Sequence, residues 1–170
     1  MALLELAPQG AAVDERHLRD ALSRFATGVT VVTTRTENGK LAGLTTNSFS
    51  AVSLDPPLCA LESQVSAPPL PSFKAAGHFA VNVLAASQQA LCRRFAARAH
   101  DKFEGVEHAP GLGGCPLLAG ALATFECSTQ TQVAGGDHVI FFGRVRRAAF
   151  RHGAPLIFSA GTYGTHAPLA

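Results

Sequence analysis

Short apolar runs separated by turn residues predict a chain built mostly of β-strands. Asp14 can cap a helix near the start of the chain. Apolar residues follow it at helical spacing at Leu18, Ala21, Leu22 and Phe25. These positions predict one amphipathic helix that ends near Thr27 and Gly28. The β-branched run from Val29 to Thr34 then predicts a buried strand.

A hairpin signal leads into the most polar part of this pattern. Asn38-Gly39 predicts a tight β-hairpin, and its second strand enters the run GLTTNSFSAVSLDPP at residues 43–57. The middle of this run is Thr45-Thr46-Asn47-Ser48, and the prolines at its end indicate a turn. The run can be a polar strand followed by a loop. It can also bind a flat polar ligand, because small hydroxyl and amide side chains offer both donors and acceptors.

The remaining pattern predicts several more strands and two more helices. Strands are predicted over residues 58–61, 79–84, 120–133, 139–149 and 156–160. A short helix is predicted over 71–76 and a further helix is predicted after Ser87 as its cap, whereas 105–116 is predicted to be a long loop. Since no regular βαβ alternation occurs, the pattern predicts a mainly β fold, an antiparallel barrel or sandwich with peripheral helices.

Composition narrows the functional classes. A chain of 170 residues with 47% hydrophobic and 15% charged residues predicts one domain with a sizeable core. A net charge of +2 is too small to favour nucleic acid as a partner. The first residues have no basic segment and contain Glu5, so no signal peptide is predicted, and no apolar run is long enough for a membrane. We therefore expect a cytoplasmic protein.

Metal and dinucleotide motifs are not found. The four cysteines form no C-x-x-C pair, and Cys59 and Cys127 lie in strand-like runs that predict reduced core thiols. The seven histidines are scattered, so no metal site is expected. The glycine-rich run at 111–116 lies between prolines and opens no helix, so it does not meet the context of a Rossmann fingerprint.

Seven short motifs, in order, resemble a known family. They are RFATGVTVVTT (24–34), TTNS (45–48), FAVNVL (79–84), RRFAAR (93–98), DKF (101–103), GGDH (135–138) and GTYG (161–164). Together they resemble the short-chain flavin reductases, the reductase components of two-component flavin-dependent monooxygenases. The resemblance implies an FMN-binding split barrel, an antiparallel Greek-key barrel, over residues 13–165, with tails at 1–12 and 166–170. It also implies a homodimer with flavin near the subunit interface.

The resemblance also implies flavin-contacting residues. Thr45, Thr46, Asn47 and Ser48 match the segment that contacts the isoalloxazine edge and ribityl chain. Lys102 and Phe103 match a Lys/Arg-Phe pair, in which Lys102 meets a flavin phosphate or is a solvated surface lysine. The loop at 63–71 departs from the family, because Pro68 and Pro69 stand where hydroxyl residues usually help to hold the phosphate. Ser63 and Ser66 remain as candidate phosphate contacts.

Two further residues match positions near the nicotinamide in this family. His138 matches the histidine that orients the dihydronicotinamide or polarises its carboxamide, and the alternative is an ordinary histidine of a turn. Tyr163, the only tyrosine, matches an aromatic residue that covers the nicotinamide, and the alternative is a packing residue near the C-terminus.

The implied reaction is hydride transfer from NADH or NADPH to FMN or FAD, with reduced flavin diffusing to a transient oxygenase partner. One alternative is a flavoprotein of the same fold that keeps its flavin and acts directly on a small molecule. Another is a non-enzymatic split-barrel protein that binds flavin or haem. The matches at His138 and Tyr163 favour the reductase over both.

Overall fold

A computed structural model describes residues 14–99 and 101–166. The predicted tail at 1–12 lies outside these residues, and of the predicted tail at 166–170 only His166 is described. The helices are α1 (Glu15–Leu22), α2 (Leu70–Ala75) and α3 (Gln89–Ala96), with 3₁₀ turns at Ala86–Gln88 and Leu112–Gly114. None of these helices is long and apolar enough to cross a bilayer.

The strands of the described chain are β1 (Thr27–Gly28), β2 (Thr30–Arg35), β3 (Leu41–Thr46), β4 (Ser50–Leu54), β5 (Pro57–Gln64), β6 (His78–Val83), β7 (His108–Pro110), β8 (Pro116–Leu118), β9 (Ala123–Gly135), β10 (His138–Phe150), β11 (Ile157–Ser159) and β12 (Thr162–Gly164). Seven of them form one antiparallel sheet in the order β3-β2-β6-β9-β10-β5-β4. The strands β1, β11 and β12 form a smaller sheet, and β7 pairs with β8. The expected mainly β split barrel is confirmed.

The sheet curls until β3 approaches β5 across a split. Ser48 follows β3 and spans this split, since its Oγ accepts a hydrogen bond of 2.9 Å from the backbone N–H of Glu62 in β5. The hydroxyls of Thr46 and Ser48 lie 2.8 Å apart. The barrel is therefore joined at this point by side chains instead of by a strand ladder.

Two apolar cores explain why β2 is buried on both faces. Val32 packs inside the barrel with Leu61 and Phe141, and Leu70 and Phe73 of α2 close the same core. Alternate side chains of a strand point to opposite faces, so Val31 faces the second core instead. That core lies under α3, whose Cys92 and Phe95 are buried in it.

Gly43 allows α3 to lie close against β3. A Cβ atom at Gly43 would stand 2.5 Å from Cε1 of Phe95 and 3.2 Å from Cζ of Phe103. Phe95 is itself fully buried and cannot move aside. The absence of a side chain at Gly43 therefore sets the distance between the helix and the edge of the barrel.

Several predicted element boundaries are wrong. The first helix ends at Leu22, and Thr27 and Gly28 form β1 instead of its end. Ser87 lies inside a 3₁₀ turn and does not cap α3, whose N-cap is Gln88. The predicted loop at 105–116 contains β7 and the start of β8. Only the strand β1 depends on a distant segment, because it pairs with β11 near the end of the described chain.

Candidate functional site

A cleft of about 310 Å³ opens at the split between β3 and β5. One wall contains Thr45 and Thr46 of β3, with Asn47 after it, and the opposite wall contains Ser63 and Gln64 at the end of β5. The C-terminal end of α3 closes a third side. His138 joins the cleft because the first residue of β10 pairs with Gln64 of β5. The fold thus brings together polar side chains that are far apart in sequence.

The polar side chains of Thr45 and Asn47 already make hydrogen bonds within the chain. Thr45 Oγ1 donates a 2.7 Å hydrogen bond to the carbonyl of Cys92 in α3. Asn47 Nδ2 donates to Thr27 Oγ1 at 3.1 Å. Both side chains keep accepting oxygens, and Asn47 keeps one further N–H. They line the cleft while also fixing its walls.

Ser48 is the one residue of the predicted polar row that does not line the cleft. Its hydroxyl is occupied at the split by the N–H of Glu62 and by Thr46. Chain direction explains the difference, because β3 ends at Thr46 and the backbone turns there towards β4. The contact that the structure shows for Ser48 is therefore structural.

Ser48→Ala is expected to lower the free energy of unfolding by about 1–2 kcal/mol, since the N–H of Glu62 loses its acceptor at the split. Urea denaturation measures this change. Ser50→Ala, at an exposed position of β4, is the matched control and should be nearly neutral. Unchanged stability of Ser48→Ala together with lost flavin affinity would contradict the structural role.

His138 is held by its neighbour in the β9–β10 turn. Its Nδ1 lies 2.8 Å from Oδ1 of Asp137, and its side chain is one-third exposed (33%). The hydrogen bond to His138 holds the pKa of the Asp137 carboxyl below its ordinary value. Asp137 itself is fixed in the turn, because its carbonyl accepts a hydrogen bond from the N–H of Val65. The imidazole is therefore oriented at the edge of the cleft.

The loop after β5 forms the rim of the cleft. Ser63 is buried, and its hydroxyl makes only a long contact of 3.5 Å with the carbonyl of Gln64. Ser66 is exposed and lines the cleft together with Pro68 and Pro69. The two prolines supply neither a hydroxyl nor an N–H at this wall.

Lys102 lies where the cleft continues into a larger cavity. Its Nζ donates to the carbonyl of Phe95 at 2.7 Å and of Gly43 at 3.4 Å. Desolvation by burial lowers the pKa of this amine below its ordinary value. Phe103 lines only the larger cavity, and its ring packs edge-on against Phe95 with the centroids 5.0 Å apart.

Tyr163 is not brought into this cleft within the chain. It packs against the second core, and its ring centroid lies 5.2 Å from that of Phe158. Its phenolic hydroxyl and the thiol of Cys92 form a hydrogen bond in which oxygen and sulfur lie 3.3 Å apart. This contact first, and then desolvation, raises the pKa of the tyrosine. The described contacts are those of a packing residue.

Sequence reasoning did not select four polar residues at or beside the cleft as site residues: Glu62, Gln64, Arg98 and Asp137. Arg98 and Gln64 line the cleft, and Asp137 contacts His138. Arg98 belongs to a run of basic residues visible in the sequence, and Asp137 precedes the candidate histidine. Gln64 gives no comparable local signal, because only the pairing of β5 with β10 places it opposite His138.

The donor set of the cleft fits a flat heterocycle with a polar edge. Asn47 and Gln64 have amides that both donate and accept, and Thr45 and Ser66 add hydroxyls. Leu44, Ala67 and the two prolines supply the apolar part of the lining. Such a mixture of apolar walls and a few polar groups is typical of cofactor sites.

Comparison with protein families gives one match that spans most of the chain. Residues 22–167 match the model of the flavin reductase like domain. The chain is 44% identical over 151 residues to the FMN reductase (NADH) SmoA of Agrobacterium fabrum, covering 89% of this chain and 86% of that protein. It is 40% identical to the reductase subunit HsaB of a flavin-dependent monooxygenase of Rhodococcus jostii, covering 89% of this chain and 78% of HsaB.

A solved structure shows the same architecture. The NADH:FAD oxidoreductase SgcE6 of Streptomyces globisporus C-1027, in complex with NAD and FAD fragments, superposes with a TM-score of 0.86 at 38% identity. The match covers 94% of this chain and 98% of that chain. Some relatives are longer, since this chain spans 42% of a probable flavin reductase of Rhizobium meliloti.

Proposed function

The chain belongs to the flavin reductase-like family, and on that premise we propose that it transfers hydride from NADH to a flavin in the β3–β5 cleft. We further propose that the reduced flavin is released to a separate flavin-dependent monooxygenase, as the name of HsaB implies for that relative. The observation that supports this best is that one cleft is lined by the polar residues 45–47, by His138 and by Lys102.

The bound flavin would supply the hydride-accepting ring. The protein therefore has to bind the flavin, orient it towards the nicotinamide and shield it from water. Asn47, Gln64 and Thr45 would hydrogen-bond the polar edge of the ring, because their free donors and acceptors face one cavity. Leu44 and Ala67 would keep water from its apolar part. No strong acid or base is needed for these tasks.

His138 would orient the carboxamide of the dihydronicotinamide at the edge of the cleft. The hydrogen bond to Asp137 limits rotation of the imidazole, so its other nitrogen is presented in a fixed direction. Orientation of two reacting rings contributes strongly to rate, because the reacting atoms must meet at close range. Asp137 would act as a positioning residue for His138.

Lys102 would meet the flavin phosphate. Because burial lowers its pKa below the ordinary value of 10.5, the Lys102 ammonium loses its proton and its charge as the pH rises through that lowered pKa. FMN affinity should therefore fall as the pH rises through the lowered pKa of Lys102, whereas the affinity for riboflavin, which lacks the phosphate, should not. Flavin fluorescence titrations from neutral to alkaline pH measure both. Lys102→Arg keeps its charge and should remove the pH dependence; an unchanged profile would exclude Lys102.

We also propose a homodimer, with a second copy covering the apolar side of α1. This helix has no buried residue, although Leu18 and Leu22 lie one turn apart on it and Phe25 follows shortly after its end. Phe25 is 78% exposed, and Leu54 of the edge strand β4 is 94% exposed. Large apolar side chains left uncovered in this way favour an interface.

Leu22→Glu is expected to convert the dimer to a monomer, because a carboxylate would be buried in the apolar contact. Light scattering after size-exclusion chromatography measures the mass. Arg16→Glu, on the opposite face of α1, introduces the same residue and should leave the dimer intact. A monomeric wild-type protein would contradict the proposal.

The function itself is tested by NADH and NADPH consumption with and without added FMN or FAD. Oxidation that rises and saturates with added flavin is expected, with NADH as the better donor. Tightly retained flavin with no turnover of added flavin would favour an enzyme that uses its own flavin. No oxidation with any of the four pairs would contradict a reductase.

A further inference from the structure

The rim loop of the cleft, residues 65–73, is poor in backbone hydrogen-bond donors. Three of its nine residues are prolines, which have no backbone N–H. Two of these prolines, Pro68 and Pro69, line the cleft itself. A ligand that reaches this wall therefore meets two successive residues without a donor.

Most of the N–H groups that the rim loop does have are already bonded within the chain. Five of them donate to carbonyl oxygens at 2.9–3.3 Å, and these belong to Val65, Ala67, Leu70, Ser72 and Phe73. In the described part of the chain, only the N–H of Ser66 is left without such an acceptor. The loop thus offers a ligand one backbone donor.

Hydroxyl groups are equally few along this loop. Ser66 is exposed and lines the cleft, whereas Ser72 lines only the larger cavity. A phosphate monoester presents three strongly accepting oxygens. Since Ser66 alone supplies donors from the rim loop to the cleft, most of these oxygens would find no partner on this wall.

The two cations of the cleft belong to the segment after α3 and not to the rim loop. Lys102 Nζ already donates to the carbonyls of Phe95 and Gly43, so one of its three donors remains. Arg98 is exposed, and an ion pair at an exposed position improves affinity by about fivefold at most. A flavin phosphate would therefore be held from one side and would add little to the affinity.

The groups proposed to hold the flavin ring do not depend on the phosphate. Thr45 lies in β3, Asn47 follows it, and His138 begins β10. In the proposed reaction NADH gives one hydride to the oxidised ring and leaves as NAD⁺, and the ring becomes the reduced anion. The phosphate is at the far end of the ribityl chain and takes no part in this exchange.

We propose that the protein binds and reduces flavins with and without a terminal phosphate, riboflavin included, and that Pro68 and Pro69 determine this breadth. The proposal rests on the function proposed above. The two prolines broaden the specificity because they remove donors from the wall that faces the two cations. A hydroxyl residue in their place would contact the phosphate from the second side and would select FMN over riboflavin.

Pro69→Ser tests the role of the prolines. Pro69 is the N-cap of α2, where serine is a preferred residue, so the fold should tolerate the change. The new hydroxyl can accept from the helix and still donate to a phosphate. Pro71→Ser is the matched control, because Pro71 is exposed and lines neither cavity. Pro69→Ala restores the N–H without the hydroxyl and separates the two contributions.

The dissociation constants of FMN and riboflavin are measured by flavin fluorescence at neutral pH, and kcat/KM for each flavin is measured with NADH. In the wild type, both quantities should agree between the two flavins within about fivefold. Pro69→Ser should bind FMN about fivefold more tightly, with riboflavin within about twofold, because only FMN gains a charge-assisted hydrogen bond. Pro69→Ala should have a smaller effect, and Pro71→Ser should have none.

A wild-type preference for FMN of about tenfold or more would overturn the proposal, and so would riboflavin that binds without being reduced. An unchanged preference in Pro69→Ser would show that the prolines do not determine it. Normal turnover of FMN in these cases would leave the reductase function intact. No NADH oxidation with either flavin would instead overturn the function, and the dissociation constants would still test the prolines because they need no turnover.

Discussion

Replacing His138 by alanine is expected to slow hydride transfer about 100-fold and to leave flavin affinity within about threefold. The imidazole is at the edge of the cleft, where Asp137 holds its Nδ1 at 2.8 Å. Its loss removes a contact to the nicotinamide and none of the amides and hydroxyls that would hold the flavin. Stopped-flow measurement of flavin reduction, with a separate flavin titration, distinguishes the two effects.

Two comparison variants sharpen this test. Asp137→Asn keeps a side-chain acceptor for Nδ1 and removes the charge, so its effect on hydride transfer should be smaller than that of His138→Ala. His152→Ala, at an exposed residue that lines neither cavity, should have no effect. Equal loss of flavin affinity and hydride transfer in His138→Ala would show that His138 is a flavin contact instead.

Replacing Gly43 by alanine is expected to lower the free energy of unfolding by about 3 kcal/mol. The new methyl group would stand 2.5 Å from the buried ring of Phe95, and the ring of Phe103 blocks another direction. Relief requires α3 to move away from β3. Because α3 and β3 form two walls of the cleft, flavin affinity should fall as well.

Gly77→Ala is the matched control for this change. A Cβ atom at Gly77 meets nothing within 4 Å, and its backbone is not in the left-handed region. We expect its stability to equal that of the wild type or to be slightly higher, since alanine restricts the unfolded chain. Urea denaturation of Gly43→Ala and Gly77→Ala measures both free energies of unfolding. Equal values for the two variants would contradict the prediction and would mean that α3 moves away from β3 at little cost.

Local patterns were sufficient for much of the fold. The Asn38-Gly39 hairpin and the buried strand after Gly28 are confirmed, because turn geometry and the strand preference of β-branched residues depend on neighbouring residues. The strand β4 was not predicted, since it is a short run directly before a proline turn and pairs only with β5. The apolar row of α1 was recognised, but no sequence pattern shows that the rest of the chain leaves it uncovered.

For the candidate site, the family motifs identified residues and the fold decided which of them meet. Thr45, Thr46, Asn47, Ser63, Ser66, Lys102 and His138 line one cleft, whereas Ser48 closes the split and Tyr163 packs under α3. Their roles towards flavin and nicotinamide stay predictions. The family motifs gave no reason to choose Gln64, since its position depends on the register between β5 and β10.

The sequence by itself determined the strand-rich architecture, the hairpin turns and the family motifs, because these depend on propensities and spacings within a few residues. Only the tertiary structure decided that the end of β5 meets the start of β10, and that Phe95 of α3 lies directly over Gly43 at the edge of the barrel. The physical reason is that strand register and helix seating are set by core packing between residues distant in sequence. A polar side chain becomes part of a site only when that packing directs it into a cavity with the others.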